Sequence, residues 1–301
     1  MIAVKSNRMS KRERSNVLKG LMFISPWMLG FLVFVLYPTI YSFVISFARY
    51  SGMLPPVWLG FGNYTRLFTD PLVGTAVQNT FFYAILAVPI GLVVALLLAL
   101  AMNRSVKEVA IYRTALYLPS IIPIFAMSFI FIVLVNPQYG LLNMVLGLFN
   151  IPQTDYLSDP TGAKLIIVLM AQLGAGNAAL IFLAGLNNIP KTMYEAAQID
   201  GSSRLGSFFR ITLPLLSPTI LFNLITGVSA GLQVFQQAYI MTNGGPANGT
   251  LFYMYYLYQN AFSYAQLGYA CALAVILFLF GLVLALVLYW LSQRFVNYDA
   301  S

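Results

Sequence analysis

Apolar residues run uninterrupted for long stretches of this chain, and charged residues punctuate them. There are 29 uncharged positions between Lys19 and Arg49, 33 between Asp70 and Arg104, and 41 between Arg113 and Asp155. A further 26 lie between Lys164 and Lys191, and 83 between Arg210 and Arg294. A helix that crosses a bilayer needs about 20 mostly apolar residues. The first four runs therefore hold one helix each. The last holds two, because Asn243-Gly244-Gly245-Pro246 and Asn248-Gly249 are turn sequences near its middle. The pattern predicts six spans, at roughly 21–48, 77–102, 114–136, 165–187, 214–241 and 267–292. Backbone groups in hydrocarbon must pair within their own segment, so each run is read as helix. Strands are not expected, since the alternation of a membrane barrel is absent. Pro89, Pro119 and Pro123 fall inside spans and mark kinks.

Composition agrees with an all-α polytopic membrane protein. Of 301 residues 60% are hydrophobic and 8% charged, with a mean hydropathy of +0.81. A soluble domain carries about a quarter charged residues. One cysteine, Cys271, excludes an intramolecular disulfide, and zero histidines remove the commonest general base and metal ligand. No metal site is predicted. Basic residues set the orientation. With the N-terminus inside, Lys5, Arg8, Lys11, Arg12, Arg14, Lys19, Arg104, Lys107, Arg113, Lys191, Arg204, Arg210 and Arg294 are cytoplasmic, 13 against the three outside, Arg49, Arg66 and Lys164. Residues 1–20 read as a basic cytoplasmic tail and 21–301 as one transmembrane domain with both termini inside. The first apolar run is too long for a signal peptide and has no small-x-small cleavage site, so it is predicted to stay as a span. The net charge of +8 needs no nucleic acid to explain it. The basic tail is the positive-inside signal, with room for an anionic-lipid contact.

None of the six predicted spans contains Asp, Glu, Lys, Arg or His. Ion-driven carriers place such groups at depth, so a proton-coupled carrier is disfavoured, although a sodium site of carbonyls and hydroxyls would escape this test. No internal repeat supports a secondary carrier either. A membrane enzyme would need a cluster of acids, bases or metal ligands, and none is present. No Gly-x-x-x-x-Gly-Lys phosphate loop occurs. Uphill transport would have to draw its energy from another subunit.

Neutral polar residues do enter the spans. On a helix of 100° per residue, Asn223, Thr226, Ser229, Gln233, Gln236 and Gln237 share an arc of about 140°. Interhelical hydrogen bonding accounts for one or two of them. Six, with three glutamines, predict one wall of a hydrated path for a hydroxyl-rich solute. Gln172 and Asn177 flank Gly174-Ala175-Gly176 at the midpoint of the fourth span and join the candidate path, though packing alone explains the glycines equally well.

Between the fourth and fifth spans the segment 191–214 is polar and amphipathic. Tyr194 to Ile199 is predicted as a short helix, Gly201 as its left-handed terminator, and Ser202 or Ser203 as the cap of a second helix reaching about Ile211. Pro214 suits the first turn of the next span. Glu195, Ala196, Ala197, Asp200, Gly201, Ile211, Leu213 and Pro214 together resemble the EAA loop of ABC-importer permeases, with every anchor at the family's spacing. The stretches Phe61-Gly-Asn-Tyr64, Asn79-Thr80, Arg113 to Pro119, Asn136 to Asn143 and Thr242 to Pro246 extend the resemblance over most of the chain, toward the maltose-type carbohydrate branch. Asn243 stands where that family often has Gly.

The resemblance implies a type I importer permease with a cytoplasmic EAA helix–turn–helix. The chain itself would hold no cofactor, and ATP with magnesium would bind two partner ATPase subunits docked on Glu195 and Gly201. Further implied partners are a second homologous permease and an extracytoplasmic solute-binding protein, in a bacterial or archaeal cytoplasmic membrane. The expected solute is a sugar or oligosaccharide. A glycerol-phosphate-type solute is the alternative, weakened because a phosphate path favours Arg or Lys near the spans.

Overall fold

The computed structural model describes residues 11–104 and 109–293; Lys5, Arg8, Lys107 and Arg294 lie outside them. Helix α1, Lys11–Phe31, runs through a π-helical turn at Leu32–Leu36 into α2, Tyr37–Ile45. Residues 1–10 of the expected tail lie outside the described residues, and the rest of it is helical. Residues 11–20 are the first turns of α1, because nothing between Lys11 and Pro26 breaks a helix. A two-residue antiparallel pair, β1 (Ala48–Arg49) with β2 (Val57–Trp58), corrects the expectation of no strand. Helix α3 (Gly62–Thr69) leads into α4 (Pro71–Met102).

Two spans begin earlier than hydropathy placed them. α4 starts at Pro71 and α8 (Pro160–Gln172) at Pro160, each behind an aspartate whose side chain accepts a backbone N–H: Leu72 for Asp70, Gly162 for Asp159. An acidic N-cap followed by proline is a strong helix start. It extends both spans outward past the apolar run, so that Lys164 lies inside the fourth. Pro89 sits within an unbroken α4.

The third span is not one helix. α5 (Val109–Tyr117) passes through a 3₁₀ turn, Leu118–Ile121, and then turns through 90° into α6 (Ile124–Leu134). Pro119 and Pro123 withhold two N–H donors there, and Pro123 keeps Ile122 extended (ψ 125°). After α7 (Leu141–Gly147), the fourth span is α8, a 3₁₀ turn at Leu173–Ala175 and α9 (Gly176–Asn187). α10 (Lys191–Ile199), α11 (Arg204–Ser207), a π-helical turn over Phe208–Thr212 and α12 (Leu213–Leu215) lead to the fifth span. That span is interrupted too: α13 (Ser217–Leu232) and α14 (Gln236–Met241) are separated by non-helical Gln233–Phe235. α15 (Tyr253–Tyr258) and α16 (Leu267–Ser292) complete the fold. Among the described residues five segments are long and apolar enough to cross a membrane, six with the bent pair.

α4 is the axis of the bundle and touches α8, α9, α13 and α15. Its buried face is small (Ala76, Ala84, Ala87, Ala95, Ala99), which lets neighbouring helices approach closely. It contributes to all three hydrophobic cores. The first span does the opposite. Trp27 is 70% and Phe34 79% exposed, and its main partner in this chain is α16.

Candidate functional site

The three interrupted spans meet around one cavity of about 650 Å³, within the range of small-molecule sites. α4 lines it with Tyr83, Val88 and Gly91, the third span with Pro119, Ser120 and Ile122. The interruptions pack on each other. A Cβ on Gly176 would lie 2.8 Å from Ser120 Cβ and 3.0 Å from Tyr117, so only glycine lets the fourth span close on the third. Ser120 Oγ donates to the Tyr117 carbonyl at 2.7 Å, satisfying an acceptor released where the helix bends.

Of the eight residues predicted for the path, six line this cavity: Gln172, Asn177, Asn223, Gln233, Gln236 and Gln237. Thr226 and Ser229 do not. They are exposed on another face of α13, and their hydroxyls donate to the Phe222 and Ile225 carbonyls at 2.9 Å. The shared arc is thereby corrected. It assumed a regular helix to Gln237, whereas the break at Gln233–Phe235 re-aims the last three glutamines, and α13 turns Gly227, Ala230 and Gly231 to the cavity.

The lining is neutral throughout. Asn177 Oδ1 accepts from Tyr117 Oη at 2.9 Å, and Gln172 Nε2 donates to the Val168 carbonyl at 2.7 Å. Two buried polar atoms of these lining residues have no hydrogen-bond partner among the described residues, the acceptor Gln172 Oε1 and the donor Asn223 Nδ2. An unmet buried group costs about 1–3 kcal/mol. The two sit on different elements of the lining, Gln172 at the end of α8 and Asn223 in α13. Sequence reasoning missed Tyr83, Ser120 and Met254 in this wall. Ser120 between two prolines was the one available signal.

The 191–214 segment forms a second feature. α10 ends in paired C-terminal bonds, Ser202 N to Ala197 O (2.9 Å) and Gly201 N to Gln198 O (3.1 Å), with Gly201 at φ +76°. Ser203, one of the two expected caps, accepts from Gly206 N. Tyr194 Oη and Thr212 Oγ1, 2.8 Å apart, tie the two arms, and Tyr194 and Ile211 pack on the core around Phe182 and Leu216. Glu195, Ala196, Asp200 and Gly201 are exposed, with Ile199 at 86% and Leu205 at 69%. Leu213 and Pro214 form the short helix before α13 rather than its first turn.

On the opposite face, Asp70 organises the segments 46–70 and 242–266. It accepts from Tyr256 Oη at 2.6 Å and Tyr269 Oη at 2.9 Å. Arg66 stacks 4.1 Å above the Tyr269 ring and donates to Gln266 Oε1 at 2.6 Å. Partial burial raises the Asp70 pKa, but those hydroxyls, the Leu72 N–H and Arg66 together outweigh it and hold the carboxyl below its ordinary value. Burial and the adjacent carboxylate push the Tyr256 hydroxyl up to about 12. Asn79 donates to the carbonyls of Asn248 and Leu251, and Lys164 Nζ donates to Asn79 Oδ1 at 3.1 Å. None of these braces was predicted. Among the described residues no group of acidic, Cys or His side chains could hold a metal ion.

Residues 87–297 match the family described as binding-protein-dependent transport system inner membrane component. The chain is 39% identical over 297 residues to the probable ABC transporter permease protein YesP of Bacillus subtilis, covering 97% of this chain and 96% of that one. It is 35% identical to the arabinooligosaccharides transport system permease protein AraP of the same organism, over 91% and 88% of the two chains. With the lactose transport system permease protein LacF of Rhizobium radiobacter the identity is 33%, over 95% and 97%. A crystal structure of a bacterial ABC transporter that imports the acidic polysaccharide alginate contains a chain of the same fold. Its TM-score is 0.82 at 24% identity, over 95% of this chain and all of that one.

Proposed function

This chain belongs to the binding-protein-dependent transport system inner membrane components, and on that premise we propose that it is the permease subunit of an ATP-driven importer that carries a neutral sugar or oligosaccharide through the cavity between its interrupted spans. The relatives named for arabinooligosaccharides and lactose support the solute class. The cavity carries the reading. Its polar groups are neutral amides and hydroxyls, and among the described residues Gln172 Oε1 and Asn223 Nδ2 of its lining lie buried without a partner. No Arg or Lys among the described residues lines it. A phosphorylated solute would want one.

In this reading the 191–214 loop docks on a cytoplasmic ATPase through Glu195, Gly201 and the exposed Ile199 and Leu205, and ATP is hydrolysed there rather than in this chain. A second homologous permease and a second ATPase complete the unit. A solute-binding protein delivers to the face carrying 46–70 and 242–266, and both termini are cytoplasmic.

The test is Gln233→Ala. Each lost neutral hydrogen bond costs about 0.5–1.5 kcal/mol, so sugar uptake falls several-fold while the complex still assembles. In a Cys271→Ser background, cysteines at Asn177, Gln233 and Gln237 react with a water-soluble thiol reagent. If none reacts, with sugar absent or present, the cavity is not the path.

A further inference from the structure

From the cavity outward, five side chains form a continuous apolar strip. Phe235 and Met254 are both on the cavity wall. Met254, Tyr258 and Phe262 follow at intervals of four along α15 and the π-helical turn after it, so they share one face. Phe235, the N-cap of α14, and Tyr239 within it repeat that interval. The rings touch in sequence: Phe235 to Tyr258 at 4.8 Å between centroids, Tyr258 to Phe262 at 5.0 Å, and Tyr239 against Phe235 and Tyr258 at 5.7 Å each. Exposure rises along the strip. Phe235 and Tyr258 are half-buried, whereas Tyr239 is 47% and Phe262 70% exposed.

We propose that this strip is a stacking track that receives a neutral oligosaccharide from the outer face and feeds it, one sugar ring at a time, into the cavity. The proposal rests on the saccharide reading above. A sugar ring has an apolar C–H face and a rim of hydroxyls. The face suits an aromatic ring, and Tyr adds a hydroxyl at its edge. Steps of 4.8 and 5.0 Å are about the width of one sugar ring, so successive units of a chain meet successive rings. An interfacial aromatic belt is distributed round the perimeter at headgroup level. This strip instead is one contiguous row of side chains that ends on a polar cavity. With one end of the solute in the cavity, only a chain of three or more units reaches Phe262.

Uptake of arabinobiose, arabinotriose, arabinotetraose and lactose is measured in cells carrying the complete transporter, with the amount of assembled complex in their membranes. Phe262→Leu and Tyr258→Leu keep apolar bulk but remove the ring face. Each raises KM about 3- to 10-fold for the tri- and tetrasaccharide, the worth of one aromatic contact. For Phe262→Leu the loss falls mainly on the KM of the tri- and tetrasaccharide and much less on the disaccharides, and Tyr258→Phe, which keeps the ring face and loses only the edge hydroxyl, raises KM less than Tyr258→Leu. If the wild type takes up these sugars and the variants alter all lengths equally, in step with complex abundance, the strip only packs or meets lipid and the track is overturned, while the permease reading stands. If the wild type takes up none of the four, the saccharide reading falls and the track with it.

Discussion

Gly201 carries a conformation that other residues resist. Its φ of +76° follows from the paired bonds that end α10, and a Cβ there would meet nothing within 4 Å. The cost of a side chain is therefore backbone strain alone, about 1–2 kcal/mol, too little to unfold the bundle. Gly201→Asp is expected to insert normally yet abolish solute-stimulated ATP hydrolysis of the assembled complex, because charge and bulk enter the docking surface. Glu195→Lys acts alike by reversing an exposed charge. If Gly201→Asp retains the ATPase and transports normally, the loop does not couple. Asp70 makes a different kind of prediction. Its folded pKa lies below the unfolded value of about 3.9. The stability it contributes is thus present above that value and lost as pH falls through the lower, folded one. Asp70→Asn should melt earlier than wild type at pH 7 in detergent. The difference should shrink once pH drops below the ordinary carboxylate range. A constant difference down to that range and beyond would mean that ionisation of Asp70 does not matter to the clamp.

The interruptions in the third, fourth and fifth spans behave as one unit, because they pack on each other around the cavity. Gly176 is the closest of these contacts. Gly176→Ala would overpack the elbow against Ser120 and Tyr117, at about 1–3 kcal/mol. Adding Ser120→Gly removes the nearest obstacle and should recover part of the lost melting temperature. Independent, additive effects of the two changes would show that the elbow and the fourth-span turn are not in contact. Gly174, two residues earlier, has open space around it, and Gly174→Ala should be nearly neutral. The Pro89 position in α4 illustrates the converse. That proline leaves the helix continuous, whereas Pro119 and Pro123, four apart, do not. One missing donor is tolerated where neighbours pack tightly. Two, with an extended residue forced before the second, turn the chain.

The whole molecule places the polar loop 191–214 on one face and the Asp70 clamp on the other, so orientation has a direct test. Reporter fusions at residues 60, 150 and 250 should report outside, and at 108, 200 and 298 inside. A cytoplasmic signal at 150 would break the six-span arrangement. Hydropathy and charge were enough for the class and for the C-terminal ends of four spans, at 102, 187, 241 and 292, while the described residues hold five spans, or six with the bent pair. These properties are local: a run of apolar residues needs lipid or protein around it whatever its neighbours are. Local chemistry also fixed Gly201 and Ser203 in their capping roles, since a cap depends on residues within one turn. What the pattern could not determine is where a helix ceases to be regular. Asp70 and Asp159 moved two starts outward, the break at Gln233–Phe235 re-aimed Gln236 and Gln237, and the packing of α13 turned Gly227 and Gly231 rather than Thr226 and Ser229 to the cavity. The helical-wheel argument assumes an ideal helix, and only the packing of three spans on one another decided where that assumption ends. The clamp of Asp70 by Tyr256 and Tyr269 joins residues 186 and 199 positions apart. Nothing in a one-dimensional pattern brings such partners together; the close approach of α4, α15 and α16 does.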